Sequence, residues 1–251
     1  MPLISATIVT QNEASSITRC IRSLECADEV VLVDAGSTDH TQSIAACLGA
    51  RVVVHPWAGF ASQKNFALSQ AHYDWILSLD ADEELDGTAQ AAVLKWKTSA
   101  PAAAGYRFAR RARYLGRWIR HSGWYPDYKL RLFDRSRGRW EGNYVHESVK
   151  LGGPVETLPG EILHYTCDSL EEHRQRIEFY TGLAAAQILD EGRRIGWWHR
   201  QLDPGLTFLH TYLLRCGFLD GKQGFWIAYM ASRYVARKYA KWAQLAAKRA
   251  R

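Results

Sequence analysis

The stretch WILSLDADEEL, residues 75–85, runs from an apolar segment directly into a cluster of four carboxylates: Asp80, Asp82, Glu83 and Glu84. The apolar segment has the length and composition of a strand that is buried on both faces. Like charges this close repel one another, and ionised carboxylates are costly to remove from water. The cluster therefore predicts a positively charged partner at the end of a buried strand.

Strand and helix patterns alternate through the first hundred residues. Strand-like runs cover residues 3–9, 29–34, 50–56 and 75–82, and segments with helical apolar spacing lie between them. This β-α-β-α-β-α-β order predicts an α/β fold of the Rossmann-like kind, in which a mostly parallel sheet with right-handed crossovers is flanked by helices. Ligands of such sheets bind beyond the carboxyl ends of the strands.

Polar residues follow three of these strand ends, at 10–13, 34–39 and 80–84, so we expect them to converge on one edge of the sheet. If the strand continued through Asp80 and Asp82, both side chains would point the same way. Two such carboxylates suit Mg²⁺ or Mn²⁺, with phosphate oxygens completing the shell. In the alternative interpretation, these acids stay in water and cap the next helix.

Composition restricts the class of protein. The chain is 47% hydrophobic and 23% charged, which is typical of a globular protein and not of a disordered one. Its five cysteines are odd in number and form no C-x-x-C pair, so neither a zinc site nor a disulfide framework is predicted. We expect a reduced, cytosolic compartment. The N-terminus lacks the features of a secretion signal, and no run of about 18 apolar residues predicts a membrane-spanning helix.

The net charge of +6 is unevenly distributed. Residues 1–106 sum to −6 and residues 140–220 to −5, whereas residues 107–139 sum to +9 and residues 221–251 to +8. Compact basic blocks of this kind usually meet an anionic partner such as phosphate, nucleic acid or lipid headgroups. A solvated basic face is the alternative for each block. No nucleic-acid-binding motif accompanies the first block, so we expect no nucleic acid.

Four segments in order carry a family resemblance: TIVTQNEASSI, VDAGSTDHT, GFASQKNFAL and SLDADEE. Together they resemble the nucleotide-sugar-binding half of inverting family 2 glycosyltransferases of the GT-A fold. The downstream segments RRARYLGRWIRHSGWYPDYKLRLFDRSRGRWEGNYVHESV and GFLDGKQGF resemble the bacterial lipopolysaccharide-core subgroup, which includes β-1,4-glucosyltransferases. The chain departs from the family in having DAGSTD in place of DDGSTD and in lacking the usual ED motif of the catalytic base.

The resemblance implies roles for residues on the strand-end loops. The donor, a UDP-sugar, would be contacted by Thr10, Asn12, Glu13, Asp34, Lys64 and Asp80. The metal, Mg²⁺ or Mn²⁺, would be held by Asp82, Asp80 and His164. Three alternatives stay open: Asp39 caps a helix instead of contacting the ligand, Lys64 is simply solvated, and His164 is a buried structural histidine.

Inversion at the sugar carbon requires one base on the acceptor side. In NYVHES, Glu147 stands at about the position where the family carries its base and is the candidate. Asp127 is the second choice and Glu141 the third. His146 either orients a phosphate or fills the core.

The acceptor would be a phosphorylated, lipid A-core-type saccharide. Trp124 and Tyr125 could stack on sugar faces, because sugar C–H groups suit aromatic surfaces, although core packing is equally open for both. Arg131 belongs to the first basic block, which suits acceptor phosphates because arginine binds them in a bidentate manner. Glu83 would contact sugar or acceptor, and the other glutamate of the pair would stand in the first turn of the next helix.

The C-terminal residues predict an amphipathic basic helix. At about 100° per residue its apolar side chains fall in one arc and its cations Arg233, Arg237, Lys241 and Lys248 in the adjoining arc, which suits a membrane surface. The alternative is a helix packed on the rest of the protein. We expect a cytoplasmic protein bound peripherally to the inner membrane. The predicted domains are a GT-A domain at 1–195, divided into a nucleotide-sugar half (1–106) and an acceptor half (107–195), and a helical extension at 196–251.

Two other classes compete with the glycosyltransferase. Aspartyl-phosphate phosphatases also carry D-x-D after a strand, but normally after the first strand and with Thr or Val following the second aspartate. Here the motif ends the fourth strand and Glu83 follows it. The third class is a catalytically inactive module that binds nucleotide-sugar and membrane.

Overall fold

The computed structural model describes residues 1–142 and 147–249. The strands are β1 Ile4–Thr10, β2 Glu29–Asp34, β3 Arg51–Val54, β4 Trp75–Asp80, β5 Glu83–Leu85, β6 Gly105–Tyr114, β7 Arg117–Trp118, β8 Asp127–Asp134, β9 Gly138–Glu141, β10 Ser148–Leu151 and β11 Val155–Cys167. The helices are α1 Ile17–Arg22, α2 Thr41–Cys47, α3 Phe60–Gln70, α4 Gly87–Lys97, α5 Leu170–Asp190, α6 Trp197–Leu209 and α7 Gly221–Arg249. A π-helical turn covers His210–Leu214, and a 3-10 turn covers Gly217–Asp220.

Eight strands follow one another in the main sheet in the order β3-β2-β1-β4-β8-β6-β11-β5, and β7 pairs with β6. The first four strands are parallel, as the alternating sequence pattern predicts. Strand β8 joins β4 in the antiparallel direction, and β6 is antiparallel to β8. The predicted α/β class, with helices around the sheet and a helical C-terminal region, is confirmed; the sheet is mixed because the segment after residue 105 adds antiparallel strands.

Strand register aligns the ends that were expected to converge. Thr10 pairs with Asp34 across β1 and β2, and Val9 pairs with Asp80 across β1 and β4. The loops after β1, β2 and β4 therefore leave the sheet at the same edge, as the sequence predicts.

Apolar side chains cover both faces of the parallel strands. On one face, Ile4 and Ile8 of β1 pack in a cluster with Ile17 of α1 and Val93 of α4. On the other face, Val31 and Val33 of β2 cluster with Ala67 of α3. Burial on two faces explains why these strands read as continuous apolar runs rather than as alternating patterns.

The segment after β4 differs from the expectation. Ala81 and Asp82 form a turn, so the strand does not continue through Asp82. Glu83 lies in β5, which pairs antiparallel with β11. Helix α4 begins only at Gly87, and Asp86 caps it by accepting a hydrogen bond of 2.7 Å from the Ala89 backbone N–H. Neither glutamate therefore stands in a first helical turn.

The chain forms two compact units. Unit 1 is Met1–Arg111 with Asp127–His164, and unit 2 is Ala112–Pro126 with Tyr165–Arg251. The division into donor half, acceptor half and extension is a division by function and stays a prediction. Among the described helices, none combines the length and the apolar content that crossing a bilayer requires.

In unit 2, part of the basic arc of α7 is occupied. Arg237 lies 2.7 Å from Glu178 of α5, and Lys241 lies 3.0 Å from the same carboxylate. These two cations belong to the arc that the sequence assigns to a membrane surface, and here they hold α7 against α5.

Candidate active site

Asp34 organises the loop after β2. Its buried carboxylate accepts hydrogen bonds from the backbone N–H groups of Gly36 at 2.9 Å and Ser37 at 2.7 Å. The side-chain amide of Gln42 donates to the same oxygen at 2.7 Å. Gly36 has a φ of +91°, a conformation that glycine adopts without strain. Asp34, predicted to contact uracil or ribose, is thus bonded within its own turn and shapes this loop.

The loop after β1 is bonded to the loop after β2. Asn12, with a φ of +57°, donates from its backbone N–H to Ser37 Oγ at 2.8 Å and accepts from the Thr38 backbone N–H at 2.8 Å. The Glu13 backbone N–H donates to a hydroxyl at the start of α2 at 2.8 Å. Thr10 Oγ1 is buried and has no hydrogen-bond partner within the described part of the chain. Three predicted donor-site residues therefore lie together at one sheet edge.

Asp39 lies two residues before Thr41, the first residue of α2, and hydrogen-bonds to it. Its carboxylate accepts from the Thr41 backbone N–H at 3.0 Å and from the Ala14 backbone N–H at 3.1 Å. The hydrogen bond from the Thr41 hydroxyl lowers the pKa of Asp39. These bonds within the protein favour the helix-start interpretation of Asp39, although the N-cap position itself is occupied by His40.

Asp80 lies between two cations of unit 1. Its Oδ1 is 2.8 Å from Lys64 Nζ, and its Oδ2 is 2.8 Å from an Arg131 guanidinium nitrogen. Burial opposes ionisation of this carboxyl, but the charges of Arg131 and Lys64 outweigh burial and hold the pKa of Asp80 well below its usual value. The positive partner that the acidic cluster predicts is thus supplied, for Asp80, by the protein itself.

Glu83 is buried against two arginines. Its carboxylate lies 2.7 Å from Arg131 and 3.0 Å from Arg110. It also accepts from the Asp80 backbone N–H at 3.2 Å. Both Glu83 and Arg131 were expected to face the acceptor. Because only 1% of Glu83 and 3% of Arg131 are exposed, the structure instead gives them a place inside unit 1, where they position Asp80.

Asp82 and His164 come together although 82 positions separate them. The antiparallel pairing of β5 with β11 sets His164 opposite Glu83, next to Asp82 in the chain. His164 Nε2 and Asp82 Oδ2 are 3.1 Å apart, and both side chains are partly exposed. A carboxylate and an imidazole are suitable ligands for Mn²⁺, and a carboxylate for Mg²⁺. Among the described residues no group of three protein ligands forms, so a cation here would need donors from a substrate.

Lys64 links Asp80 to Glu147. Its ammonium is 3.0 Å from Glu147 Oε1 and lies 4.4 Å from the centre of the Trp140 ring. Only 6% of the Lys64 side chain is exposed, so the solvated-lysine alternative is wrong. Helix α3 is held there because the Asn65 amide exchanges two hydrogen bonds, of 2.8 and 2.9 Å, with the backbone of Trp140. The candidate base, Glu147, and Asp80 thus contact the same lysine, which lies between their two carboxylates.

The other two candidates for the base pair with arginines, whereas Glu147 pairs with Lys64. Asp127 lies 2.6 Å from Arg110 and 3.1 Å from Lys129. Burial raises the pKa of Asp127, but Arg110 and Lys129 lower it by more, which leaves a weaker base. Glu141 lies 2.7 Å from Arg139, on strand β9. His146 falls outside the described residues.

Trp124 and Tyr125 belong to unit 2, whereas the residues above belong to unit 1. Trp124 packs edge-on against the buried Tyr114 ring, with 5.5 Å between ring centres, in a cluster with Ile119. This contact favours the core interpretation of Trp124. Both side chains are half-buried.

Arg110 is the site residue that the sequence analysis missed. It bonds to Glu83 and Asp127 together, and so connects two carboxylates that were considered separately. The signal was available in the pairing of β6 with β8, which places Arg110 directly opposite Asp127. That register becomes visible only when the antiparallel half of the sheet is known.

Comparisons with known proteins identify the family. The family model described as Glycosyl transferase family 2 matches residues 5–149, which include the strand-end loops and Glu147. The chain is 31% identical to the lipopolysaccharide core biosynthesis glycosyltransferase LpsC of Rhizobium meliloti (strain 1021), over 94% of this chain and 93% of that protein. It is 32% identical to an uncharacterised glycosyltransferase of Rickettsia prowazekii (strain Madrid E), over 90% of this chain and 81% of that protein.

Among solved structures, glucosyl-3-phosphoglycerate synthase from Mycobacterium tuberculosis, in complex with Mn²⁺, UDP and glucosyl-3-phosphoglycerate, is similar at 23% identity. The match has a TM-score of 0.36 and covers 45% of this chain and 44% of that chain. The family model spans more than half of the chain, and the match to LpsC extends along nearly all of it. This chain therefore belongs to glycosyl transferase family 2.

Proposed function

We propose that this glycosyltransferase is an inverting, metal-dependent enzyme that transfers a hexose from a UDP-sugar. The subgroup resemblance favours glucose as the hexose. The acceptor would be an inner-core heptose or a similar sugar of a lipid-linked, phosphorylated saccharide. The observation that carries the proposal is the contact between Asp82 and His164. Asp82 follows Asp80 by two positions, and Lys64 contacts both Asp80 and Glu147. A metal-binding pair and a base candidate are the two functions that such a transfer requires. Membership of a transferase family leaves the phosphatase hypothesis without support.

Asp82 and His164 would hold the divalent cation, Mg²⁺ or Mn²⁺. Their donor atoms are 3.1 Å apart and reachable from solvent, which supports this role. When bound, the cation would offset the negative charge that builds on the leaving diphosphate. Asp80 fits a metal role less well, because both of its oxygens already contact cations of the protein.

Donor recognition would fall to the loops after β1 and β2. The buried hydroxyl of Thr10, which lacks a partner among the described residues, supports a ligand contact here, because an unsatisfied buried hydroxyl is unfavourable. Asn12 and Asp34 would act indirectly by holding these loops in place. Lys64, predicted to neutralise the diphosphate, would instead position Asp80 and Glu147.

Glu147 would act as the base. As the bond from the sugar C1 to the diphosphate oxygen breaks, the acceptor oxygen bonds C1 from the opposite face, and the acceptor proton passes to Glu147. A carboxylate has two oxygens, so one can keep the 3.0 Å contact with Lys64 while the other accepts the proton. This fixed contact would hold the base in one orientation.

A lipid-linked acceptor implies work at the cytoplasmic face of the inner membrane. The similarity to a lipopolysaccharide core biosynthesis glycosyltransferase supports such an acceptor. The +8 charge of residues 221–251 supports association with an anionic surface.

The proposal is tested by measuring UDP release from a panel of UDP-sugars with Mg²⁺ or Mn²⁺, with and without a lipid A-core acceptor. We expect one UDP-sugar to be consumed only when the acceptor is present, and EDTA to stop the reaction. NMR of the product should show a β-linked sugar from the α-linked donor, as inversion requires.

Each result bears on a different part of the proposal. Transfer that continues in EDTA would overturn the metal assignment, and an α-linked product would overturn inversion. Consumption of a different class of sugar nucleotide would overturn the UDP-sugar assignment. Absence of transfer with every donor would favour the inactive binding module.

A further inference from the structure

Unit 2 carries an apolar surface that faces solvent. Ten of the eighteen exposed large apolar side chains of the described residues lie between Trp197 and Phe225. Helix α6 has no buried residue at all, and Leu206 in its second half is 59% exposed. We use the term apolar face for six of these exposed residues: Trp197, Trp198, Leu202, Leu206, Leu209 and Leu214.

Four residues of the apolar face lie along one side of α6. At about 100° per residue, Trp198, Leu202, Leu206 and Leu209 fall within an arc of about 80° on α6. A different side of the helix meets α7, where the Asp203 carboxylate accepts a hydrogen bond of 2.8 Å from the Tyr239 hydroxyl. Single exposed leucines scattered over a surface are normal in proteins. A contiguous exposed apolar stripe, in contrast, indicates an interaction surface.

Exposed charge around the apolar face is positive. Residues 192–225 carry five cations, all exposed: Arg193, Arg194, Arg200, Arg215 and Lys222. The same segment has two acids, and both are turned inward. Asp203 is bonded to Tyr239, and Asp220 is buried where it accepts from the backbone N–H groups of Arg120 at 3.1 Å and His121 at 3.0 Å. Arg193 lies 3.8 Å from Glu191, whereas the other four cations have no acidic partner within the described part of the chain. The surface therefore combines apolar side chains with four unpaired cations.

We infer that the apolar face inserts into the headgroup region of an anionic phospholipid bilayer. Leucines and tryptophans on one side, with arginines beside them, are the composition of a helix that lies in the plane of a membrane. Tryptophan suits the interface because its ring is apolar and its N–H is polar.

A second copy of the chain fits this surface less well. A two-fold symmetric contact presents the same patch on both partners, so one positively charged patch would face another. An anionic bilayer instead attracts each of them. Charge complementarity thus selects the bilayer.

The membrane contact proposed here is at α6, whereas the sequence favoured the C-terminal helix, α7. Arg237 and Lys241 of α7 pair with Glu178 of α5, whereas Arg194, Arg200, Arg215 and Lys222 are exposed and have no acidic partner among the described residues. This membrane contact rests on the proposed function in one respect, the lipid-linked acceptor. Binding to vesicles is measured without any acceptor.

The test is co-flotation of the full chain with vesicles of phosphatidylcholine containing about one third phosphatidylglycerol, compared with pure phosphatidylcholine. We expect binding to the anionic vesicles, and a fall of about tenfold or more for the variant Leu202→Gln/Leu206→Gln, because two apolar side chains are lost from the interface. The matched control is Leu3→Gln/Leu94→Gln, which replaces two exposed leucines of unit 1 and should bind like the unmodified chain.

A second measurement uses vesicles with brominated acyl chains, which quench tryptophans that enter the bilayer. We expect quenching in the unmodified chain and its loss in Trp197→Phe/Trp198→Phe. Equal flotation of the Leu202/Leu206 variant and the control would overturn the inference. So would sedimentation data showing that the Leu202/Leu206 variant turns a dimer into a monomer while vesicle binding is kept.

Failure of this inference can be told apart from failure of the proposed function. If the proposed function holds, the Leu202/Leu206 variant transfers sugar to a deacylated acceptor at the normal rate and loses rate only when the acceptor is held in vesicles. Normal transfer by an unmodified chain that ignores anionic vesicles would overturn the membrane surface alone.

Discussion

Each carboxylate after β4 has a different neighbour in unit 1. Asp80 is paired with Lys64 and Arg131, whereas Asp82 contacts His164. Glu83 is buried against arginines, and Glu84 lies 3.6 Å from Arg19. Four acids that form one cluster in the sequence therefore have different roles. Asp82 is the metal-ligand candidate, Asp80 is a positioning residue, and Glu83 and Glu84 form structural ion pairs. Closeness in sequence did not distinguish these roles, because each depends on a cation from another element.

The assignment of Glu147 as the base can be tested by a substitution that replaces one carboxylate oxygen with an amide nitrogen. Replacement of Glu147 by Gln keeps an oxygen that can accept from Lys64 but removes the proton acceptor. We expect UDP-sugar binding to be retained and kcat to fall by about 100-fold or more, the usual contribution of a general base. Asp127→Asn is the comparison and should cost far less. Near-normal transfer by E147Q together with loss in D127N would move the base to Asp127.

Glu83 should matter for stability rather than for chemistry. Glu83→Gln removes the buried carboxylate that Arg131 and Arg110 share and leaves Arg131 with Asp80 and Arg110 with Asp127. We expect the free energy of unfolding to fall by about 2 kcal/mol, because buried hydrogen bonds between charged groups are lost. Its neighbour Glu84 lies near a partly exposed arginine, and Glu84→Gln should cost less than about 1 kcal/mol. Urea denaturation of both variants measures the difference, and equal midpoints would contradict it.

At the scale of elements, the pairing of β5 with β11 builds the metal candidate. It sets His164 opposite Glu83 and thereby brings Asp82 and His164 into contact. The helical and parallel-strand elements of the first hundred residues follow from local apolar spacing, and the sequence predicts them well. Strand β5 escaped prediction because three residues carry too short a pattern, and its extended form depends on β11.

Gly160 lets β11 pass close to α4. Its φ is +95°, and a Cβ there would lie 2.1 Å from the Ala89 backbone nitrogen. We expect Gly160→Ala to lower the free energy of unfolding by about 3 kcal/mol, since overpacking adds to left-handed strain. Gly192, with a φ of +67° and no atom near its absent Cβ, is the control, and its alanine variant should cost about 1 kcal/mol. Similar losses for both variants would show that strain alone matters.

At the scale of the whole molecule, stability should depend on pH through His173 of unit 2. Its Nδ1 lies 2.8 Å from the Tyr114 hydroxyl, and burial, followed by the charge of Arg176, lowers the pKa of His173 below its ordinary value of 6.5. The native state therefore keeps this ring neutral at a pH where the unfolded chain takes up a proton. Its contribution is complete above about pH 6.5 and is lost as the pH falls below that value.

We expect the free energy of unfolding to decrease between pH 7 and pH 5, by at most about 1.4 kcal/mol per pH unit from this residue. His173→Gln should flatten that decrease, whereas His199→Gln, at an exposed histidine of the same unit, should leave it unchanged. Denaturant titrations at several pH values measure both slopes. Parallel slopes for all three proteins would contradict the assignment.

The sequence by itself determined the parallel strand series, the edge where its loops converge and the residue types gathered there. These follow from local periodicity and from the rule that parallel strands end together. Only the tertiary structure decided which acids meet which cations. Lys64 reaches Glu147 across 83 positions and Asp82 reaches His164 across 82, through the register of strands that no local pattern encodes. Tertiary packing likewise left the apolar face of α6 exposed, because α7 covers a different side of that helix.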